Sequence, residues 1–170
     1  VLDNMHLLEK ITIPKEAVGI EGSSLYLREG EVLTVEDLLY GMMLRSGNDA
    51  ATALALAVSG NLTDFSKKMN EKARECGAMN SNFVNPHGLH HPDHYTTAYD
   101  LALITAEAMK HQYFQTIIMS QKARIGEGDS TRVIANKNKM LWLYEGANGV
   151  KTGYTKSSGR CLVSSAKRNG

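Results

Sequence analysis

The run Ala50-Ala51-Thr52-Ala53-Leu54-Ala55-Leu56-Ala57-Val58 constrains the fold more than any other part of the chain. Its small and apolar side chains would lie on every face of a helix, leaving no polar stripe for solvent. Such a helix is expected to be buried on most sides, at the centre of a domain, with other elements wrapped around it. Ser59-Gly60 ends the run, and Ser46-Gly47-Asn48-Asp49 comes before it. The helix mouth therefore places unpaired N–H groups and a partial positive charge beside those four polar or small residues. A length of 170 residues suits one domain.

Around this centre, periodicity predicts helices first and strands later. Val1 to Met5 reads as the inside of a helix, Ser23 to Leu27 alternates weakly, and Arg28-Glu29-Gly30-Glu31 reads as a turn. Thr34 with Asp37 three residues on forms a capping-box pattern, followed by Leu38, Leu39, Met42 and Met43 at helical spacing. A helix is predicted from Thr63 to Cys76, with Gly77 as its stop. Residues 80–95 hold Gly, Pro, Asn and four histidines, and read as loop. Thr97 and Asp100 repeat the capping-box pattern before Leu101, Ile104, Ala108 and Met109, and a short helix is expected over Tyr113 to Met119. From Lys122 the period changes. One hairpin is predicted to join Ala123-Arg124-Ile125 to Arg132-Val133-Ile134, and a second Gly149-Val150-Lys151 to Arg160-Cys161-Leu162-Val163. This order implies an α+β fold: a helical part over about residues 1–120 and a sheet-associated part over about 121–170.

The charge balance, 19 basic against 18 acidic residues, and the scatter of Lys137, Lys139, Lys151, Lys156, Arg160, Lys167 and Arg168 argue against a nucleic-acid footprint. Most of these cations read as solvated surface. Cys76 and Cys161 make no disulfide framework and are expected to be small buried residues. No run reaches the ~18 apolar residues of a membrane span. The first residues read as helix interior and residues 167–170 as a turn after a strand, so both ends are expected to be cuts within a longer chain.

Two short motifs could carry chemistry: Ser46-Gly47-Asn48 at the helix entrance, and Lys151-Thr152-Gly153 on a predicted strand, with Lys151 following Ser46 by 105 positions. Singly, the first is an ordinary helix cap and the second an ordinary strand-end turn. Jointly, their order, spacing and element types resemble the Ser-x-x-Lys, Ser-Asp-Asn and Lys-Thr-Gly set of penicillin-binding proteins and class A β-lactamases. The middle motif Ser-Gly-Asn is similar to that of the D-alanyl-D-alanine carboxypeptidase branch. Gly22 to Leu27, Leu44 to Ala50, His87-Gly88-Leu89, Tyr95 to Ala102, Asn136-Lys137-Asn138 and Gly149 to Gly153 extend the resemblance over nearly the whole chain.

The resemblance implies a helical cluster packed against an antiparallel sheet, incomplete in this chain. It also implies a β-lactam-sensitive, serine-type carboxypeptidase that removes the terminal D-alanine of peptidoglycan stem peptides through an acyl-enzyme. Ser46 would relay a proton, Asn48 would bind the substrate amide, and Lys151 would attract the substrate carboxylate. Thr152 would bond that carboxylate, Gly153 would leave room along the strand, and Tyr154 would lend its N–H to an oxyanion hole. Some relatives carry His where Tyr154 stands, which leaves only a backbone role secure. The nucleophilic Ser-x-x-Lys would lie upstream of Val1, so this chain alone is expected to be inactive. Ser164-Ser165-Ala166-Lys167 has the right letters, but on a strand those two side chains would point to opposite faces.

No cofactor or metal is implied. His87, His90, His91, His94 and Asp93 share a loop, yet Pro92 interrupts them and no helical framing orders them as ligands. The expected partners are stem peptides ending in D-Ala-D-Ala and β-lactams, on the outer side of the membrane, with any membrane association through segments outside this chain. The Asn61-Leu62-Thr63 sequon reads as chance in a bacterial protein. Two rivals are a class A-like β-lactamase, opposed by the lack of a convincing Glu-x-x-x-Asn loop between Tyr95 and Lys151, and a non-catalytic wall-peptide-binding relative.

Overall fold

A computed structural model describes residues 1–168. The chain folds as β1 (Lys10–Thr12), β2 (Val32–Thr34), α1 (Val35–Arg45), α2 (Asn48–Ser59), α3 (Leu62–Glu75), α4 (Ala98–Ala108) and α5 (Gln112–Met119). It continues as β3 (Lys122–Ile125), β4 (Arg132–Ala135), α6 (Met140–Leu143), β5 (Ala147–Thr155) and β6 (Gly159–Ala166). The strands pair as three antiparallel two-stranded sheets, β1 with β2, β3 with β4 and β5 with β6. This is the α+β arrangement expected, with both later hairpins where the period change put them.

The helix boundaries follow local chemistry. Thr34 caps α1 through its hydroxyl, which accepts from the Asp37 N–H (3.1 Å), while the Asp37 carboxylate accepts from the Thr34 N–H (3.0 Å). Gly60 in the left-handed region (φ 73°) stops α2, and Gly77 (φ 81°) follows α3. The second capping box forms only by half. Thr97 accepts from Asp100 N, but the buried Asp100 carboxylate turns away to the Asn80 N–H and the Ser81 hydroxyl, both at 2.7 Å. It ties the start of α4 to the preceding loop instead.

α2 is buried as predicted over residues 48–55; its last turn is not, and Ala57 is exposed. That turn borders a cleft of about 620 Å³ among Met5, Ile11, Ala53, Leu56, Ala57 and Leu62. Leu38, Leu44, Leu54, Ile13, Leu33 and Ile117 fill the core beside α2, each fully buried and each stabilising by roughly 1.5–3 kcal/mol. At Gly41 of α1 an added Cβ would lie 2.2 Å from Leu25 Cδ1, so the close approach of the 22–27 segment requires that glycine.

Three expectations fail. Val1 to Met5 makes a single turn (Met5 N to Val1 O, 3.1 Å) rather than helix. The weak alternation over Ser23 to Leu27 forms no strand, and the early strands β1 and β2 go unread, because their pairing of Lys10 with Thr34 spans a distance in sequence that local patterning cannot reveal. Cys76, at the C-cap of α3, is only half-buried, and Cys161 is exposed because β5 rather than β6 carries the packing against α5. The turn expected over residues 167–170 includes Asn169 and Gly170, which lie outside the described residues.

Candidate active site

The site begins where α1 gives way to α2. Ser46 ends α1 in the left-handed region (φ 60°, ψ 37°), at a cost of roughly 1–2 kcal/mol for a non-glycine residue. In return the N–H groups of Ser46 and Gly47 both reach Gly41 O, so the chain reverses within one residue and α2 starts at once. Gly47 has an ordinary φ of −62°, so conformation does not demand glycine there. Space does: an added Cβ would lie 2.9 Å from Asp49 Oδ1 and 3.1 Å from Leu25 Cγ.

Asn48 is buried, and its backbone and side chain are held by the same neighbouring segment. Its N–H donates to Ser23 O (2.7 Å), and its side-chain amide donates to Glu21 O (2.6 Å). Gly22 packs against that amide, where a Cβ would come within 2.8 Å of Nδ2. The mouth of α2 is thus sealed on one side by residues 21–27.

β5 supplies the other wall. It lies against α5, and Gly149 permits the contact, since a Cβ there would meet Ile118 Cδ1 at 2.6 Å. From β5 the Lys151 ammonium donates to Ser46 Oγ and to Thr152 O, the latter at 2.9 Å. Burial pushes the Lys151 pKa down to about 8, with the nearby Lys137 charge acting in the same direction. Lys137 enters from the segment after β4, donates to Ser23 Oγ (2.7 Å), and has its own pKa lowered by burial and by Arg45. The surroundings of Ser46 are therefore cationic. They attract an anion, and the Ser46 hydroxyl is left free to donate onward while accepting from Lys151.

The structure brings Ser46 and Lys151 into contact and sets Asn48 at the same helix mouth. Thr152 and Gly153 continue β5, paired with Leu162 and Cys161, and Tyr154 pairs with Arg160 with its ring 70% exposed. At Gly153 a Cβ would make only an ordinary 3.6 Å contact with Cys161 Cβ, so sheet packing does not explain the glycine. None of these residues lines the 620 Å³ cleft.

Two residues beside the motifs carry no separate expectation from sequence: Lys137, which reads with the scattered cations, and Asp49, which reads only as one of the residues before the helix. The alternation Asn136-Lys137-Asn138 is the signal in the sequence, and the structure buries both asparagines while leaving Lys137 exposed between them. Three loop histidines serve the loop's own backbone: Nδ1 of His87 and of His91 accepts from the N–H two residues on, of Leu89 and Asp93, and Nδ1 of His94 accepts across the loop from Val84 N–H. Among the described residues, no three His, Cys, Asp or Glu side chains gather as a metal site, and no helix is long and apolar enough to cross a membrane.

Comparison with known proteins places the chain in a family. Residues 2–170 match the D-alanyl-D-alanine carboxypeptidase family, peptidase S11. The chain is 37% identical over 161 residues to the D-alanyl-D-alanine carboxypeptidase DacF of Bacillus subtilis, covering 94% of this chain and 41% of that protein. It is 33% identical to DacB2 of Mycobacterium tuberculosis, covering 99% of this chain and 58% of the relative. A crystal structure of a penicillin-binding protein homologue from Mycobacterium tuberculosis, Rv2911, superposes with a TM-score of 0.94 at 34% identity, over 99% of this chain and 65% of that one. The structure of a mutant of the Streptomyces K15 DD-transpeptidase gives 0.91 at 34% identity, over 98% and 70%. The chain thus spans about two fifths to two thirds of the length of these relatives, and by sequence and by fold it belongs to the D-alanyl-D-alanine carboxypeptidase family.

Proposed function

We propose that this chain is the middle portion of a serine-type carboxypeptidase that removes the terminal D-alanine of peptidoglycan stem peptides outside the cytoplasmic membrane, and that β-lactams acylate it. The Lys151–Ser46 hydrogen bond, joining two motifs that are weak singly, is the observation that carries the reading. The upstream portion would supply the nucleophilic serine and its lysine. That serine attacks the carbonyl of the penultimate residue, the peptide C–N bond breaks, and D-alanine leaves after taking a proton through Ser46. Water then hydrolyses the ester.

Within this scheme Lys151, about nine-tenths protonated at pH 7 for a pKa near 8, holds the substrate's terminal carboxylate with Thr152. Asn48 orients the substrate amide. Gly153, which neither packing nor φ requires, leaves the edge of β5 open to the peptide. The exposed ring of Tyr154 leaves its N–H as the group offered to the oxyanion. The test is covalent labelling of the full-length protein by a fluorescent penicillin, beside K151A. Labelling of the wild type and its loss in K151A are expected; a folded wild type that takes no label removes the proposal.

A further inference from the structure

The most deeply buried charge beside the site is not one of the motif residues above. Asp49 is 1% exposed, and among the described residues no Lys, Arg or His pairs with it. Its carboxylate accepts instead from four donors: the Ser24 hydroxyl (2.6 Å), Leu25 N–H (2.9 Å), Leu27 N–H (3.2 Å) and Ala50 N–H (2.9 Å). It also sits in the first turn of α2, where the helix dipole favours negative charge. A buried carboxylate without such partners is strongly unfavourable, so these bonds are an obligatory set.

Three of the four donors belong to residues 24–27, which pair with no strand. Leu25 and Leu27 are buried while Tyr26 between them is exposed at φ 59°, its N–H taken by Ser24 Oγ (2.8 Å). Asp49 thus serves that segment as a neighbouring strand would. The adjoining residues 21–23 are the ones that grip the site: Glu21 O holds the Asn48 amide, Ser23 O holds the Asn48 N–H, and Ser23 Oγ holds Lys137. Leu25 and Asp49 together also fill the space over Gly47.

We infer that Asp49 is a positioning residue: by fixing residues 24–27 it sets the Asn48 amide, and through Ser23 the Lys137 ammonium, at the working geometry of the site. The inference rests on the proposed carboxypeptidase function, since it assigns Asn48 a substrate to face. D49N is the main test because it preserves size while leaving one oxygen to serve donors that now approach two. S24A, which removes one donor and leaves the carboxylate in place, stands in if D49N does not fold.

In the full-length protein, D49N is expected to lower the rate of acylation by fluorescent penicillin by about 10- to 100-fold and S24A by a few-fold. For a D-Ala-D-Ala peptide the loss should fall on kcat, with KM within about twofold, because Lys151 and Thr152 stay on β5. L33A, a core variant on β2 that shares none of the hydrogen bonds around Asp49, supplies a destabilised control that should acylate normally when folded. Side-chain amide NMR of Asn48 gives a readout free of turnover: its resonance should move in D49N and stay put in L33A. An unlabelled wild type would remove the functional reading while the resonance still judges the positioning. A labelled wild type with D49N equally fast, or an Asn48 resonance that does not move, overturns the role of Asp49.

Discussion

Gly47→Ala is the sharpest single perturbation of the site, because its cost can be worked from two opposing terms. The backbone at Gly47 (φ −62°, ψ 110°) suits alanine, so restricting the unfolded chain should stabilise by about 0.4–1 kcal/mol. Against this, the new Cβ would stand 2.9 Å from Asp49 Oδ1 and 3.1 Å from Leu25 Cγ. Neither neighbour can withdraw freely: Asp49 is held by four donors, and Leu25 is wedged over Gly41. Overpacking of this kind costs about 1–3 kcal/mol, so a net loss of about 1.3 kcal/mol is expected from the middle of the two ranges. Urea denaturation of the full-length protein measures it as a lower midpoint at unchanged slope. Leu25→Ala vacates part of the contested space, so the Gly47→Ala cost should shrink by about 1 kcal/mol in that background, a coupling that a double-mutant cycle reads directly. A Gly47→Ala protein as stable as wild type, or the same cost with and without Leu25, would refute the claim that Leu25 and Asp49 crowd the motif.

The remaining predictions concern charge, capping and edges. Lys151 is charged below its pKa of about 8 and neutral above it, so kcat/KM on a D-Ala-D-Ala peptide should fall as pH rises through about 8, and Lys137→Ala should move that limb upward by removing a neighbouring positive charge. A pH–rate profile with no basic limb near 8, or one unmoved by Lys137→Ala, would contradict this. Because that pKa is depressed relative to the unfolded chain, Lys151 binds its proton less readily when folded; its contribution to stability should rise with pH between about 8 and 10.5, as denaturation at stepped pH would reveal. Thr34→Ala removes both hydroxyl contacts of the α1 capping box and should cost about 1 kcal/mol, with penicillin acylation unchanged. The isolated 170-residue chain exposes Leu162 and Cys161 on β6, whose only pairing partner among the described residues is β5. It should self-associate in sedimentation experiments, and a monomer with a sharp melt would speak against that.

Much of this protein is written in local sequence, where the physics is also local. The Thr34–Asp37 box, the break at Ser46-Gly47, the stops at Gly60 and Gly77 and the two later hairpins each depend on residues within a few positions of one another. They could be read without coordinates, and the paired motifs carried the family. What could not be read are contacts between residues far apart in the chain. The β1–β2 pairing, the exposure of Cys161, the carboxylate of Asp49 bonded to residues 24, 25 and 27, and the ammonium of Lys137 near Lys151 follow from how the elements pack. Only packing sets the burial that lowers the Lys151 pKa and brings its ammonium to Ser46, because desolvation and Coulomb energy depend on distance in space rather than on separation along the chain.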